Sequence, residues 1–549
     1  MGDGNPMNIG LLILATSWLI KDHFGPWNSF HSELLAFVGL AVISLSCLRG
    51  ASRNVTGPLI LLPVFMVAAI PWLQFALGIT YFAGDAVVST LFLAGFSFSI
   101  WAGFVLTNRV SAPGPGNAIA FAIAMPALVS AAIGWCQWFD VDGIFLQFVM
   151  PSANGLATGN ISQPNLLGTF LLMGLFAFTY LLLLRLIGRA TFLLVVFFIS
   201  AAIAMTQSRA AIVGALVLAL FLIGNKRHYL PKLSSWSIGG WFLGLLGARV
   251  ALPHVASLLF LPSAGEAMSL VDSNGRFTIW EQILSAIFHA PWLGYGWNQT
   301  FRAQTVGAVM HPNEITYTYA HNVVLDLLAW NGIPLGLLNV GAVLLWLVVR
   351  NLALKTPASI FAMGALLPMV VQSLFEFPFA YANFLLTAGL LIGVIEANHV
   401  PTRRFVVRAG VVFMSCAIYF VVGTMVALEY VRVEEDYRIV RFENLRIGET
   451  PSDYSVPHFR LLTHMGAMLD AARTAPAPGM SAAQIEILRE ASHRFPYGLL
   501  MYKYAVARAL NGDPEGGIRQ MQGLKAIYGE KYYRQSKEAF HLATQLRVP

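Results

Sequence analysis

Long apolar stretches recur along the first three quarters of the chain, separated by short connectors that often contain Gly or Pro. Each stretch is long enough, or nearly long enough, to cross a bilayer as a helix, which takes about 20 residues. They predict about 13 transmembrane helices, at 8–20, 33–48, 58–76, 85–107, 116–135, 165–184, 190–206, 209–224, 234–250, 321–349, 356–374, 377–397 and 405–428. The pattern indicates an all-α, polytopic membrane protein.

The last 121 residues follow a different pattern. Apolar positions recur at helical spacing in 483–493 and 497–510, and a Gly-Asp-Pro turn separates them from a third stretch at 516–528. The first two stretches look like a tetratricopeptide-type helical pair. We therefore predict two domains, a transmembrane domain at 1–428 and a helical tail at 429–549.

Composition supports this division. Of the 549 residues, 57% are hydrophobic and 11% charged, and the charge is concentrated in the tail, at about 25% against about 7% before it. A value near 25% is usual for soluble domains. Three cysteines show no pairing pattern. The net charge of +7 comes without a nucleic-acid-binding motif or a dense basic cluster, so we expect no nucleic acid partner.

Basic residues indicate the orientation. Most Lys and Arg residues of the membrane part lie in alternate connectors, with Arg49, Arg350 and Arg404 among them. Because short cytoplasmic loops are enriched in Lys and Arg, these connectors predict a cytoplasmic N-terminus in a bacterial inner membrane and a periplasmic tail. This orientation puts two longer loops on the outer face, at about 136–164 and 251–320. Loops as long as the second are usually functional.

The longer outward loop contains a candidate anion site. We predict a helix at 275–288 with Asn274 as its N-cap, which puts Arg276 in the first turn. A cation opposes the helix dipole there, and an anionic ligand would resolve the conflict. The alternative is a salt bridge from Arg276 to Asp272 or Glu281.

Two further polar groups lie at outward helix ends. Gln163 and Asn165 open the sixth apolar stretch, either as substrate-binding amides or as partners of the helix backbone. Gln207 and Arg209 lie in a tight outward turn. A guanidinium near the bilayer marks a functional site or contacts a lipid phosphate.

A histidine and a carboxylate complete the outward groups. His321 lies where the long loop re-enters the membrane, and imidazole suits proton transfer near neutral pH, although an interfacial histidine is often only a hydrogen-bonding group. Glu376 and Tyr381 share another outward turn, either as substrate contacts or as an ion-pair partner and an aromatic-belt residue. Arg302 is a further outward cation, whereas Lys21 and Arg249 are expected to anchor helix ends.

In this order, these groups resemble the bacterial superfamily of O-antigen ligases, O-antigen polymerases and protein O-oligosaccharyltransferases. Within it, the chain looks most like PglL-type protein O-oligosaccharyltransferases, although Leu166 stands where that family usually carries His or a similar residue. The resemblance covers about residues 60–400. Its motifs are Pro71, Gln74, Gly78 and Gly84-Asp85; Gly159-Asn160 and Gln163-Pro164-Asn165; Gln207-Ser208-Arg209; and His321-Asn322.

The resemblance implies glycan transfer from undecaprenyl pyrophosphate to an acceptor hydroxyl at the periplasmic face, without metal or cofactor and with inversion at the anomeric carbon. His321 would be the general base, and Arg209 and Arg276 would bind the pyrophosphate. Further substrate contacts are expected from Gln163, Asn165, Gln207, Arg302, Glu376 and Tyr381.

The acceptor is open between two classes. A Ser or Thr of a periplasmic protein such as a pilin fits the helical tail, and lipid A–core is the acceptor if the chain is an O-antigen ligase. A polymerase is a variant of the second possibility. A different function is also possible, that of a transporter or flippase for lipid-linked glycans, although a flippase needs polar groups along its whole path. The sequence lacks the motifs of ATP-driven or metal-dependent enzymes.

Overall fold

The computed structural model of the chain describes residues 6–49, 53–109, 115–152, 155–229, 234–262, 267–399 and 403–546, without the side chains of 109, 115, 227–229 and 267–274. The helices of these residues are α1 (Pro6–Thr16), α2 (Phe30–Leu48), α3 (Leu61–Ala76), α4 (Ala83–Arg109), α5 (Pro115–Trp138), α6 (Pro164–Leu183), α7 (Arg189–Met205), α8 (Arg209–Tyr229), α9 (Ser235–Leu258), α10 (Ala267–His289), α11 (Thr300–Gly307), α12 (Val323–Leu352), α13 (Pro357–Gln372), α14 (Ala382–Asn398), α15 (Ala409–Leu445), α16 (Thr463–Arg473), α17 (Ala482–Arg494), α18 (Gly498–Leu510) and α19 (Pro514–Thr544).

The apolar helices agree with the predicted membrane protein. Within the described residues, eight helices are long and apolar enough to cross a membrane, namely α2, α4, α5, α6, α8, α9, α12 and α15. Five shorter apolar helices, at α1, α3, α7, α13 and α14, correspond to the other predicted stretches. The prediction of an all-α polytopic protein is confirmed, and the number of spans stays a prediction.

The chain forms two compact units. The first comprises residues 1–67, 92–268 and 344–421, and the second comprises 68–91, 269–343 and 422–549. The tail therefore shares a unit with residues 68–91, which include the end of α3 and the start of α4, and with most of the long outward loop. Helix α15 continues through the predicted boundary at 428 without a break.

In the first unit, α6 is buried along most of its length and packs against α5, α7, α8 and α13. Trp18 stacks on Phe170 of α6, with ring centroids 3.8 Å apart. Helices α4 and α14 approach so closely that a Cβ at Gly103 would lie 2.2 Å from the Leu390 carbonyl oxygen. Small residues allow such close contact between apolar helices, where burial from water contributes little.

The first unit also contains a small sheet that the sequence analysis missed. Strand β1 (Asn54–Pro58) pairs antiparallel with β2 (Arg404–Arg408), with Thr56 opposite Val406. Nearby, the Arg404 guanidinium donates a hydrogen bond to Asn108 Oδ1 at 3.2 Å. Three basic connectors that are far apart in sequence thus lie together.

In the second unit, α12 is interrupted at Gly332, where φ is +75°. A Cβ there would lie 2.4 Å from the backbone of Trp292, so only glycine fits. The carbonyl of Ala329, before the break, accepts a hydrogen bond from the Tyr295 amide at 2.8 Å. The interruption of α12 therefore anchors the long outward loop.

The tail is helical as predicted, and its structure extends beyond the predicted segments. Helix α17 packs on α18, and α18 packs on α19 around buried residues that include Met501 and Leu524. The additional helix α16 is tied to α15 by Arg473, which donates hydrogen bonds to Asp436 and to Glu443. The tetratricopeptide likeness stays a prediction.

Candidate functional site

His321 precedes the first residue of α12 and is half-buried. Its φ of +52° is unusual for a residue with a side chain. The next residue, Asn322, caps the helix by accepting a hydrogen bond from the Val324 amide at 3.0 Å. The Tyr317 ring packs edge-on against the imidazole, with centroids 5.5 Å apart. A tight turn, a helix cap and an aromatic contact thus fix where the imidazole lies.

A buried carboxylate underlies this turn. Asp326 is fully buried, and its Oδ1 accepts hydrogen bonds from the Ala320 amide at 3.0 Å and the Thr300 hydroxyl at 2.7 Å. The Trp330 indole donates to the Thr300 hydroxyl, and the Trp280 indole donates to the Ala320 carbonyl. Sequence reasoning did not select Asp326, although a lone acid in an apolar span was a usable signal.

Arg276 lies in the same unit as His321, but its predicted helix position is wrong. Helix α10 begins at Ala267, so Arg276 lies in its third turn and the argument from a helix N-terminus does not apply. The side chains of Asp272 and Asn274 are outside the described part. The expected alternative partner Glu281 lies 3.8 Å from His311. A Cβ at Gly275 would lie 2.7 Å from the Tyr317 hydroxyl, which brings the Arg276 segment next to the ring that packs on His321.

Arg302 lies at a junction between the long outward loop and the tail. Its guanidinium donates to the Ile79 carbonyl at 2.6 Å and lies 4.8 Å from the centre of the Tyr81 ring. Arg489 of α17 covers the same ring at 5.0 Å, and His493 lies 3.3 Å from the Tyr81 hydroxyl. Burial and the neighbouring arginines lower the pKa of His493 to about 4, so this histidine is neutral near pH 7.

A second contact attaches the tail to the start of α4. Arg494 donates to Asp85 Oδ1 at 2.7 Å, and both side chains are at least nine-tenths buried. The Gly84 amide donates to the Thr463 hydroxyl at 2.9 Å. Burial lowers the pKa of the adjacent His464 to about 4. The 81–85 segment, which the sequence analysis used only for family resemblance, is therefore a docking element for the tail.

Arg209 and Gln207 lie in the first unit, at the predicted outward turn. Arg209 is the first residue of α8 and its side chain is exposed. Gln207 has a φ of +53°, and its side-chain Nε2 donates to the Arg249 carbonyl at 3.0 Å. Arg249 in turn donates to the Gln207 carbonyl at 3.1 Å. These reciprocal hydrogen bonds fix the turn and leave the Arg209 guanidinium at the surface.

The outward amide and carboxylate groups also meet in the first unit. Asn165 Nδ2 donates to Glu376 Oε1 at 2.7 Å, and Glu376 is only 3% exposed. Gln163 immediately precedes α6, and its buried Oε1 has no hydrogen-bond partner among the described residues. Glu33, which was not predicted, accepts hydrogen bonds from the Trp27 indole at 2.8 Å and the Ala382 amide at 3.4 Å, and Ala382 directly follows Tyr381.

The predicted site residues are thus divided between the units. His321, Arg276 and Arg302 belong to the second, and the remaining six belong to the first. Among the described residues, no group of three His, Cys, Asp or Glu side chains is placed to hold a metal ion. The expectation of metal-independent chemistry stays a prediction.

Comparisons with known proteins agree with the resemblance. Residues 193–340 match the family model described as O-antigen ligase, and residues 360–543 match the one described as virulence factor membrane-bound polymerase, C-terminal. A general O-oligosaccharyltransferase of Acinetobacter baylyi is 28% identical over 95% of this chain and 92% of its own length. A ComP-specific O-oligosaccharyltransferase of the same organism is 25% identical over 95% of each chain.

These matches confirm the predicted relationship to the O-oligosaccharyltransferases within the O-antigen ligase superfamily. The expectation of an enzyme, a glycosyltransferase, is confirmed with it. Because the matches extend over 95% of the chain, they include most of the tail as well as the membrane helices.

Proposed function

We propose that the protein transfers an oligosaccharide from undecaprenyl pyrophosphate to Ser or Thr hydroxyls of periplasmic proteins such as pilins. The support is the similarity, over nearly the whole chain, to two enzymes named as O-oligosaccharyltransferases. The reaction needs a base for the acceptor hydroxyl and positive charge for the leaving pyrophosphate. Attack opposite the leaving group inverts the anomeric carbon, and no metal or cofactor takes part.

His321 is the general base in this proposal. The observation that carries it is the fixed turn around His321, in which the imidazole stands at the end of a membrane helix beside Tyr317. Neutral imidazole takes a proton from a hydroxyl near neutral pH, and such transfer contributes typically about 10²–10⁴-fold to a rate.

Arg209 and Arg276 bind the donor pyrophosphate in this proposal. Arg209 is well suited because it is exposed and begins α8, where the positive end of the helix dipole attracts an anion. Arg276 lies beside the segment that carries Tyr317 and His321. Guanidinium groups match phosphate oxygens in a bidentate geometry and stabilise the negative charge that develops on the leaving group.

The remaining predicted contacts bind the rest of the donor. Gln163 Oε1, which has no partner in the described part of the chain, is available to accept a hydrogen bond from a glycan hydroxyl. The Asn165–Glu376 pair offers further acceptor and donor groups nearby. Gln207, Arg302 and Tyr381 complete this proposed set.

The proposed topology has 13 spans in the bacterial inner membrane, with the N-terminus cytoplasmic and the active site and tail periplasmic. The β1–β2 pairing supports it because it joins two connectors that the model of alternate basic loops assigns to the same face. A phosphatase fused after Pro549 should be active, because the fused enzyme is active only if the tail lies outside the cytoplasm. An expressed but inactive fusion contradicts the topology.

An O-antigen ligase that uses lipid A–core is the second candidate, because residues 193–340 match the O-antigen ligase model. Purified protein with an undecaprenyl-pyrophosphate glycan separates the two when it is offered pilin or lipid A–core in parallel. We expect glycosylated pilin, detected by a mass increase at Ser or Thr. Transfer to lipid A–core alone refutes the protein acceptor, and transfer to neither refutes the proposed function.

A further inference from the structure

We propose that Asp326 is a positioning residue that holds His321 in the geometry needed for proton transfer. The inference rests on the proposed role of His321 as general base. Asp326 does not reach the substrate in this proposal. It acts through the backbone of Ala320, the residue that precedes His321 in the turn.

Both backbone polar groups of Ala320 are held by side chains. Its amide donates to Asp326 Oδ1 at 3.0 Å, and its carbonyl accepts from the Trp280 indole at 3.0 Å. The next residue, His321, has a φ of +52°. Such a conformation is unfavourable for a residue with a side chain and persists only where the surroundings enforce it. Trp280 holds the peptide unit between Ala320 and His321, and Asp326 holds the one before it, between Tyr319 and Ala320.

Asp326 is itself fixed. It lies in the first turn of α12, and its Oδ1 also accepts a hydrogen bond from Thr300 at 2.7 Å, while Thr300 accepts one from Trp330 at 2.8 Å. The side chain is fully buried, and its Oδ2 has no hydrogen-bond partner among the described residues. A carboxylate is costly at such a place. Its retention is explained if one of its oxygens sets the conformation next to the catalytic base.

Two substitutions separate this role from a merely structural one. Asp326→Asn keeps an oxygen that can accept both hydrogen bonds, whereas Asp326→Leu leaves the Ala320 amide and the Thr300 hydroxyl without an acceptor. Because small displacements of a catalytic group can cost about 10²-fold, we expect Asp326→Leu to lower kcat by about 10- to 100-fold. The donor KM should stay within about twofold, and Asp326→Asn should recover most of the rate.

The same substitution in the His321→Ala protein tests whether the two residues act together. Residues that act as a unit are strongly non-additive. We expect Asp326→Leu to change the residual rate of His321→Ala by less than about twofold. Asn339→Leu, in the second half of α12, is the matched control and should leave kcat unchanged. Thermal unfolding midpoints verify that each variant is folded, and Thr300→Val replaces Asp326→Leu if the latter fails to fold.

Four results would overturn the proposal. They are a kcat within twofold of the parent for Asp326→Leu, an effect on donor KM alone, equal losses from Asp326→Leu in the parent and in His321→Ala, and equal losses for Asp326→Asn and Asp326→Leu. The last result would indicate an electrostatic role instead of positioning. If the residual rate of His321→Ala is too low to measure, two other results decide the test. They are the separate effects of Asp326→Leu on kcat and donor KM, and the rate recovered in Asp326→Asn. Failure of the proposed function appears separately, either as no transfer to protein by the parent or as full activity of His321→Ala.

Discussion

The buried ion pair between Arg494 and Asp85 predicts a large loss of stability when Arg494 is replaced by Met. The substitution retains an unbranched aliphatic chain and removes the guanidinium that donates to Asp85 Oδ1 at 2.7 Å. Asp85 Oδ2 already has no hydrogen-bond partner among the described residues. The variant therefore buries a carboxylate with neither a counter-charge nor its present hydrogen bond.

The expected magnitude follows from the exposure of the pair. Side-chain exposure is 9% for Arg494 and 4% for Asp85, so solvent screens the interaction weakly. Removing one partner of such a pair typically costs about 3–5 kcal/mol. For a unit of this size, each kcal/mol lowers the unfolding midpoint by about 2–4 °C. We expect a decrease of about 6–20 °C.

The measurement is the thermal unfolding midpoint in detergent, together with the protease sensitivity of α17 and α18. Arg519→Met is the matched control, because its ion pair with Glu515 is exposed and such pairs contribute little. In the double variant Asp85→Leu/Arg494→Met, most of the loss should be recovered, since an apolar pair leaves no buried charge. The reasoning is refuted if Arg494→Met is no less stable than Arg519→Met, or if the double variant is as unstable as Arg494→Met.

Three further predictions concern the site and the tail. His321→Ala should fold normally and lower transfer by about 10²–10⁴-fold, and near-parental transfer rates would remove its assignment as base. Lys in place of Arg209 or Arg276 keeps the charge but loses the planar fork, so donor turnover should fall; normal turnover of both variants would make the arginines lipid anchors. Because the folded-state pKa of His464, about 4, is below its ordinary value of 6.5, the unfolded chain binds the proton first, and stability should fall from about pH 6.5 towards 4. His464→Phe should weaken this dependence in unfolding scans, and an unchanged pH profile would contradict it.

The apolar pattern located the apolar helices well because each helix carries its own signal in composition and length. All 13 predicted stretches correspond to apolar helices among the described residues. The predicted start of α10 was wrong because Asn274 and Gly275 are typical of a helix start. The helix in fact extends back through the apolar residues before them to Ala267. Local signals do not decide between two permitted starting points.

Features that depend on distant residues were not predicted. The segment that carries Tyr81 and Asp85 contacts residues of α17 that lie about 400 positions later in the chain. The periodicity of the sequence does not predict such a contact. For the same reason Glu33 was missed, since its partner Ala382 lies at the start of α14. His321 and Arg209 were selected because a polar side chain at the end of an apolar helix is conspicuous by itself.

The β1–β2 sheet has a consequence for how the protein is made. Strand β1 leaves the ribosome about 350 residues before β2, so its edge stays unpaired while most of the membrane helices are inserted. Unpaired strand edges readily join other chains. A chain that ends before Arg404 leaves exposed the edge of β1 that β2 covers in the full chain. We therefore expect such truncated chains to associate through β1 more readily than full-length chains do.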